Sequence, residues 1–166
     1  MVQKKLRQTN PLFLQEEELQ QGIELLFFAN RDLTNVSNEF LEKDGIGRAH
    51  HRVLHFVSRH KGISVTKLLR FLGITKQSLS RVLTQLIDEE FIEQKKSQND
   101  GRQRHLYITA KGSLFERKIS NPQLKRIARA YRKAGAEAVE NYRKVLIEMV
   151  DEEERNEIIN FLEKKR

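Results

Sequence analysis

The stretch Ile74–Ile87, ITKQSLSRVLTQLI, carries polar side chains at Gln77, Ser80, Arg81 and Thr84. On a helix, i, i+3, i+4, i+7 spacing gathers them into one surface patch. Lys76 lies on the same side, and none of the five is acidic. These residue types suit nucleic acid: arginine bidentate to guanine, glutamine to adenine, serine and threonine to base edges or phosphate. Leu79, Val82, Leu83, Leu86 and Ile87 form an apolar stripe on the opposite side. Thr75, with Ser78 just beyond it, stands where a helix cap would leave the first amides near a phosphate. Taken alone, such a polar side reads better as a solvated face. Two neighbours shift the balance.

The first is a short apolar helix pattern ending at Gly73, at helix-turn-helix spacing. The second is a basic hairpin. Phe91–Lys96 reads as a strand, Asn99-Asp100-Gly101 tolerates the positive φ of a tight turn, and Arg102–Thr109 alternates at period two. Lys95 and Lys96 lie on the ascending side. Arg102 and Arg104 share a face beyond the turn, and Asp100 could orient one of them by an ion pair. A thin hairpin bearing arginines can enter a minor groove, where a narrow width strengthens the negative potential. The alternative is a charged hairpin that only keeps its edges soluble, a reading that suits Lys95 and Lys96 better than Arg102.

The segment Gly47–His55, GRAHHRVLH, sets His51 and His55 on one helical face, where they could share a metal ion. The further ligands are not in the sequence, and polar surface, phosphate contact or core hydrogen bonding accounts for them better. Arg48 and Arg52 repeat at the same spacing, as backbone-phosphate contacts or interface ion-pair partners would. No catalytic constellation appears: there is no Gly-rich phosphate loop, no GxSxG, no HExxH and no cysteine, so no enzyme and no cofactor are expected. The acidic runs Glu16-Glu17-Glu18 and Asp151–Glu154 open predicted helices, where they suit the helix dipole.

The elements that must position these residues follow from periodicity. Asn10-Pro11 should open a helix, with proline at its first position, that runs to about Asp44–Gly47. A second helix spans Arg48 to His60. Ile63-Ser64 is a brief extended link, and Ser64 caps a third helix. The fourth is the opening stretch, to about Glu90. After the hairpin, Lys111-Gly112 leads into helix again, which Asn121-Pro122 interrupts or restarts. A helix of about 28 residues, roughly 40 Å long, then follows. That exceeds what a small core needs and suggests packing on another subunit. A last helix starts at Asp151. The fold class is mainly α with a small β-hairpin wing.

The chain has 166 residues and a formal net charge of +8. That basic excess favours an anionic partner, nucleic acid or an acidic membrane surface, without choosing between them. The absence of cysteine excludes disulfides and thiolate metal sites within the chain. The start has no signal-peptide pattern, and the longest apolar run, Leu25–Ala29, cannot span a bilayer, so a soluble cytoplasmic protein is expected.

The chain resembles the MarR/SlyA family of bacterial transcription regulators. The carriers are ITKQSLSRVLTQLIDEEFIEQ, the wing NDGRQRHLYITAKG and the flanking long helices. The resemblance implies a winged helix-turn-helix domain at 47–112 flanked by dimerisation helices at 11–46 and 113–166. It implies a homodimeric repressor on double-stranded DNA with a pseudo-palindromic site, released by a small anionic or phenolic effector. Thr75, Gln77, Ser78, Ser80 and Arg81 match the family's reading positions; Asp100 and Arg102 match its wing motif. Gly101 stands where a second basic residue is often found. The cysteine-dependent peroxide-sensing branch is excluded, and the His-acid clusters of zinc-sensing branches have no match. A winged-helix module binding protein, or nucleic acid without sequence preference, is the alternative.

Overall fold

A computed structural model describes residues 11–43, 45–96 and 103–163. The chain divides into two compact units, Met1–Gln123 and Leu124–Arg166.

In the first unit, Pro11 is extended (ψ 148°) ahead of a single 3-10 turn, Leu12–Leu14. The expected helix start at Pro11 is therefore displaced. Helix α1 (Glu16–Asn35) opens on Glu16, Glu17 and Glu18, whose charges suit its positive end. Nor does one helix continue to residue 44. The chain turns at Val36-Ser37 and restarts as α2 (Asn38–Lys43). The cause is a buried hydroxyl: Ser37 is fully enclosed and donates to the Ile119 carbonyl at 2.8 Å. A partner 82 residues away leaves no trace in local spacing.

Helix α3 (Arg48–Arg59) follows, and then β1 (Ile63–Ser64). The link expected to be merely extended is thus a two-residue strand. The Ser64 hydroxyl accepts from the Lys67 amide at 3.2 Å and caps α4 (Val65–Leu72). Gly73 ends α4 in the left-handed region at φ 59°, ψ 33°, which only glycine adopts without cost. Thr75 Oγ1 accepts from the Ser78 amide at 3.2 Å and caps α5 (Lys76–Asp88).

Strands β2 (Ile92–Lys96) and β3 (Arg104–Ile108) form an antiparallel hairpin with Lys96 opposite Arg104. Its turn, including Asp100 and Arg102, lies outside the described residues. β1 pairs antiparallel with β3, so the sheet order is β1-β3-β2. The core of this unit is Val53, Leu54, Val57, Leu68, Leu79, Leu86, Ile92, Leu106 and Ile119, all essentially inaccessible to solvent.

Helix α6 (Ala110–Ala134) runs straight through Asn121-Pro122, where an interruption is expected from sequence. The missing proline amide and the ring's clash cost about 3 kcal/mol in a helix interior. Burial of Ile119 and Phe115, one and two turns before it, holds the helix in place. The break comes instead at Gly135, whose φ of 85° only glycine accepts readily. It divides the expected long helix, leaving α7 (Ala136–Glu148) and α8 (Glu152–Glu163) as the rest of the second unit. There Arg155 ties the α7–α8 turn, donating to the Glu148 carboxylate at 2.9 Å and to the Glu148 and Val150 carbonyls. No described helix is long and apolar enough to cross a membrane.

The start of α6 lies close against the end of α5. The Thr109 hydroxyl donates to the Glu90 carbonyl at 2.7 Å, and Phe91 stacks on Phe115 with ring centres 4.7 Å apart. Gly112 permits this approach, because a Cβ there would stand 2.1 Å from the Phe91 carbonyl oxygen. Backbone is on both sides, so nothing flexible can yield. Gly112→Ala is expected to destabilise the fold by at least about 1–3 kcal/mol, read as a lower urea midpoint at unchanged slope.

Candidate nucleic-acid interface

The apolar stripe of α5 is anchored: Leu79, Val82, Leu83 and Leu86 are buried, and Ile87 is half-buried. Each fully buried side chain of this kind contributes about 1.5–3 kcal/mol. The opposite side is open. Thr75, Lys76, Gln77, Ser78, Ser80, Arg81 and Thr84 are all exposed. Thr75 and Ser78 bond each other, hydroxyl to hydroxyl at 2.9 Å, and so stiffen the first turn. Lys76, Gln77, Ser80, Arg81 and Thr84 make no hydrogen bond or ion pair within the described residues. Five polar side chains of suitable chemistry thus lie together on a rigid helix with their donors and acceptors uncommitted. Past them, Asp88 and Glu89 border the patch and oppose phosphate at the helix's far end.

The hairpin lies beside this helix. A concavity of about 480 Å³ between them is lined by Lys76, Ser80 and Thr84 from α5, Gln94, Gln103 and Arg104 from the hairpin, and Ser64 and Thr66 at the start of α4. Sequence reasoning missed Ser64, Thr66, Gln94 and Gln103 at this surface. Only the Ser64 cap was visible, and it gave no sign of facing the groove. Arg104 is exposed and donates to Gln94 Oε1 at 3.2 Å. Lys95 is engaged within its own strand region: its Nζ is 2.8 Å from Glu93 Oε1 and lies over the Tyr107 ring. Lys96, at the ladder end opposite Arg104, is exposed. Asp100 and Arg102 lie outside the described residues.

A second constellation lies between α1, α3 and α6. A cavity of about 600 Å³ is lined by Asn30, Leu33, Thr34, Leu41, Arg48, His51, Arg52, His55, Phe56 and Gln123. Its chemistry is mixed: two arginines and two histidines on an apolar ground of leucine and phenylalanine. Asn30, Thr34 and Gln123 were not legible as members, since three separated helices bring them there. The arginines bond within the fold, Arg48 to Asn35 Oδ1 (2.8 Å) and Asn38 Oδ1 (3.3 Å), Arg52 to the Leu72 carbonyl (3.1 Å).

The histidines join a polar chain with α6. Ser120 donates to Glu116 Oε1 at 2.5 Å, which uses its only hydrogen. His51 Nε2, 3.3 Å from Ser120 Oγ, must therefore donate, and His55 Nδ1 donates to Glu116 Oε1 at 3.3 Å. Every link has a donor and an acceptor. Burial opposes ionisation of Glu116, yet bonds from His55 and Ser120 outweigh it and hold the carboxyl below its ordinary 4.5. Burial, aided by His55, pushes His51 below its ordinary 6.5. The pair is thus a core hydrogen-bonding device, and among the described residues no cluster of three groups could hold a metal ion.

Both shifts have the same consequence for stability. Below pH 6.5 the unfolded chain protonates His51 more readily than the folded one, and near 4.5 it likewise binds more protons at Glu116. Where the unfolded state binds more protons, stability rises with pH. Stability is therefore expected to fall on acidification from pH 6.5, and again toward and below 4.5. In urea unfolding between pH 5.5 and 7.5, His51→Gln should flatten the upper part of this dependence and Glu116→Gln should retain it.

Residues 44–103 match the MarR family. The chain is 47% identical over 140 residues to the HTH-type transcriptional regulator PetP of Rhodobacter capsulatus, covering 84% of each protein. Among solved structures, NadR in complex with 4-hydroxyphenylacetate superposes with a TM-score of 0.67 at 22% identity, over 75% of this chain and 88% of that one. A MarR variant from E. coli complexed with operator DNA gives 0.62 at 20% identity, over 85% and 99%. The chain belongs to the MarR family of DNA-binding transcriptional regulators.

Proposed function

We propose that the protein is a homodimeric, sequence-specific repressor acting in the cytoplasm on a pseudo-palindromic DNA site, with a small anionic or phenolic molecule in the α1–α3–α6 cavity as its effector. The observation that carries the reading is the uncommitted polar face of α5, exposed on a helix whose other face is buried. Gln77, Ser80 and Arg81 would meet base edges in a major groove, while Thr75, Lys76, Ser78 and Thr84 hold the backbone. The wing, with Lys95, Lys96, Asp100, Arg102 and Arg104, would lie along the adjoining minor groove.

Exposed apolar surface supports the dimer. Helix α1 has no buried residue, yet carries Leu19, Ile23, Leu25, Phe27 and Phe28, with Phe27 69% exposed. Helix α7 likewise buries nothing and exposes Tyr142 and Val145. Apolar surface of this extent marks an interface. The segments 11–46 and 113–166 would thus form the dimer around a reading domain at 47–112, and place two α5 helices about 34 Å apart. The cationic lining of the cavity supports an anionic effector, as does the 4-hydroxyphenylacetate in the NadR complex.

Selection from random duplexes tests the reading: an inverted repeat is expected, and an incoherent pool would make the protein a nonspecific binder. On the selected site, Arg81→Ala should cost about 1–3 kcal/mol of discrimination. Arg102→Ala should weaken selected and random duplexes alike and lower the salt slope by about 0.9. Mobility-shift titrations at several salt concentrations measure both.

A further inference from the structure

Arg52 is exposed, yet its Nη2 donates to the carbonyl of Leu72, the last residue of α4. The final carbonyls of a helix have no donor within it. Here the Gly73 amide is shared between the Leu69 and Arg70 carbonyls, at 3.2 Å each, and the Leu72 carbonyl takes its donor from α3. The Leu72–Gly73 peptide is consequently held at both polar atoms, its N–H from within α4 and its C=O by Arg52. A peptide unit is rigid, so holding both polar atoms restrains its orientation.

Gly73 and Ile74 alone separate that peptide from Thr75, the cap of α5. Gly73 is exposed, and a Cβ built on it would meet nothing within 4 Å, so packing does not restrain it. The glycine is the most permissive residue in the backbone. Its orientation is restrained by the held peptide before it, and the cap of the reading helix follows two residues later.

We propose that Arg52 is a positioning residue for DNA reading: it aims α5 by holding the Leu72–Gly73 peptide, without touching the DNA. The proposal rests on α5 being the reading helix. Arg52 is also a link between the cavity wall and the helix-turn-helix turn, since the same residue lines the cavity.

The test uses Arg52→Met, which keeps the stem and loses the donors, and Arg52→Lys, which restores one charged donor. Hydrogen exchange is followed on the free full-length protein, and binding on the wild-type-selected duplex against a random one. In Arg52→Met, the Gly73 amide, bonded to the Leu69 and Arg70 carbonyls, should exchange about tenfold faster while those of Val53–Val57 keep their protection. The ratio of selected to random binding should fall about tenfold, with the salt slope unchanged. Arg52→Lys should recover part of both losses. Unchanged exchange at the turn, or equal loss of protection across α3, overturns the proposal. So does a parallel fall in selected and random binding with a shallower salt slope, which would make Arg52 a phosphate contact. The exchange arm contains no DNA, so it decides the positioning role even if α5 proves not to read bases.

Discussion

The buried side of α3 is the constraint on which the first unit depends. Val53, Leu54 and Val57 are wholly inaccessible, and α3 packs against α4, α5 and β3. Helix α5 and strand β3, which present Gln77, Ser80, Arg81 and Arg104, therefore rest on one helix. The burial is apolar and undirected, and sets how firmly the elements are held but little of how they are aimed. Aim comes from a few directed bonds at the edges: the Ser64 and Thr75 caps, the Arg52 bond to the Leu72 carbonyl and the His105 bond to the Gly62 carbonyl at 2.8 Å.

The polar side of α3 has the opposite character. His51 and His55 meet Ser120 and Glu116 of α6 in a chain where every donor has an acceptor. A buried network stabilises one arrangement when fully satisfied and is costly when one member is lost. An apolar contact in its place could slide; this one holds register between α3 and α6. The cavity opens beside it, so a molecule bound there would meet the joint that fixes α3. A single 12-residue helix thus supports the candidate reading surface on one side and borders the cavity on the other.

The two units differ in what they complete alone. The first has a closed core around α3, α5 and the sheet. In the second, Phe161 is the one buried large apolar residue among those described, while Leu124, Val145, Met149 and Leu162 remain exposed. Such a unit gains stability by covering that surface, which fits a segment whose role is association.

Much of the winged domain was legible because its signals are local. Helix caps act over three residues, amphipathic stripes over two turns, and strand alternation over neighbouring positions. So ITKQSLSRVLTQLI announced both its buried and its uncommitted faces, and the sequence by itself determined the caps at Ser64 and Thr75, the helix stop at Gly73, and the hairpin strands. Tertiary structure decided what depends on distant partners: the turn at Ser37, set by a carbonyl 82 residues away, and the roles of His51 and His55, set by groups 69 and 61 residues away. It also carried α6 through Pro122, because burial of Phe115 and Ile119 outweighed the loss of one helical bond, and it left Gly135 as the break, since positive φ is a property of the folded backbone that residue type permits but does not require.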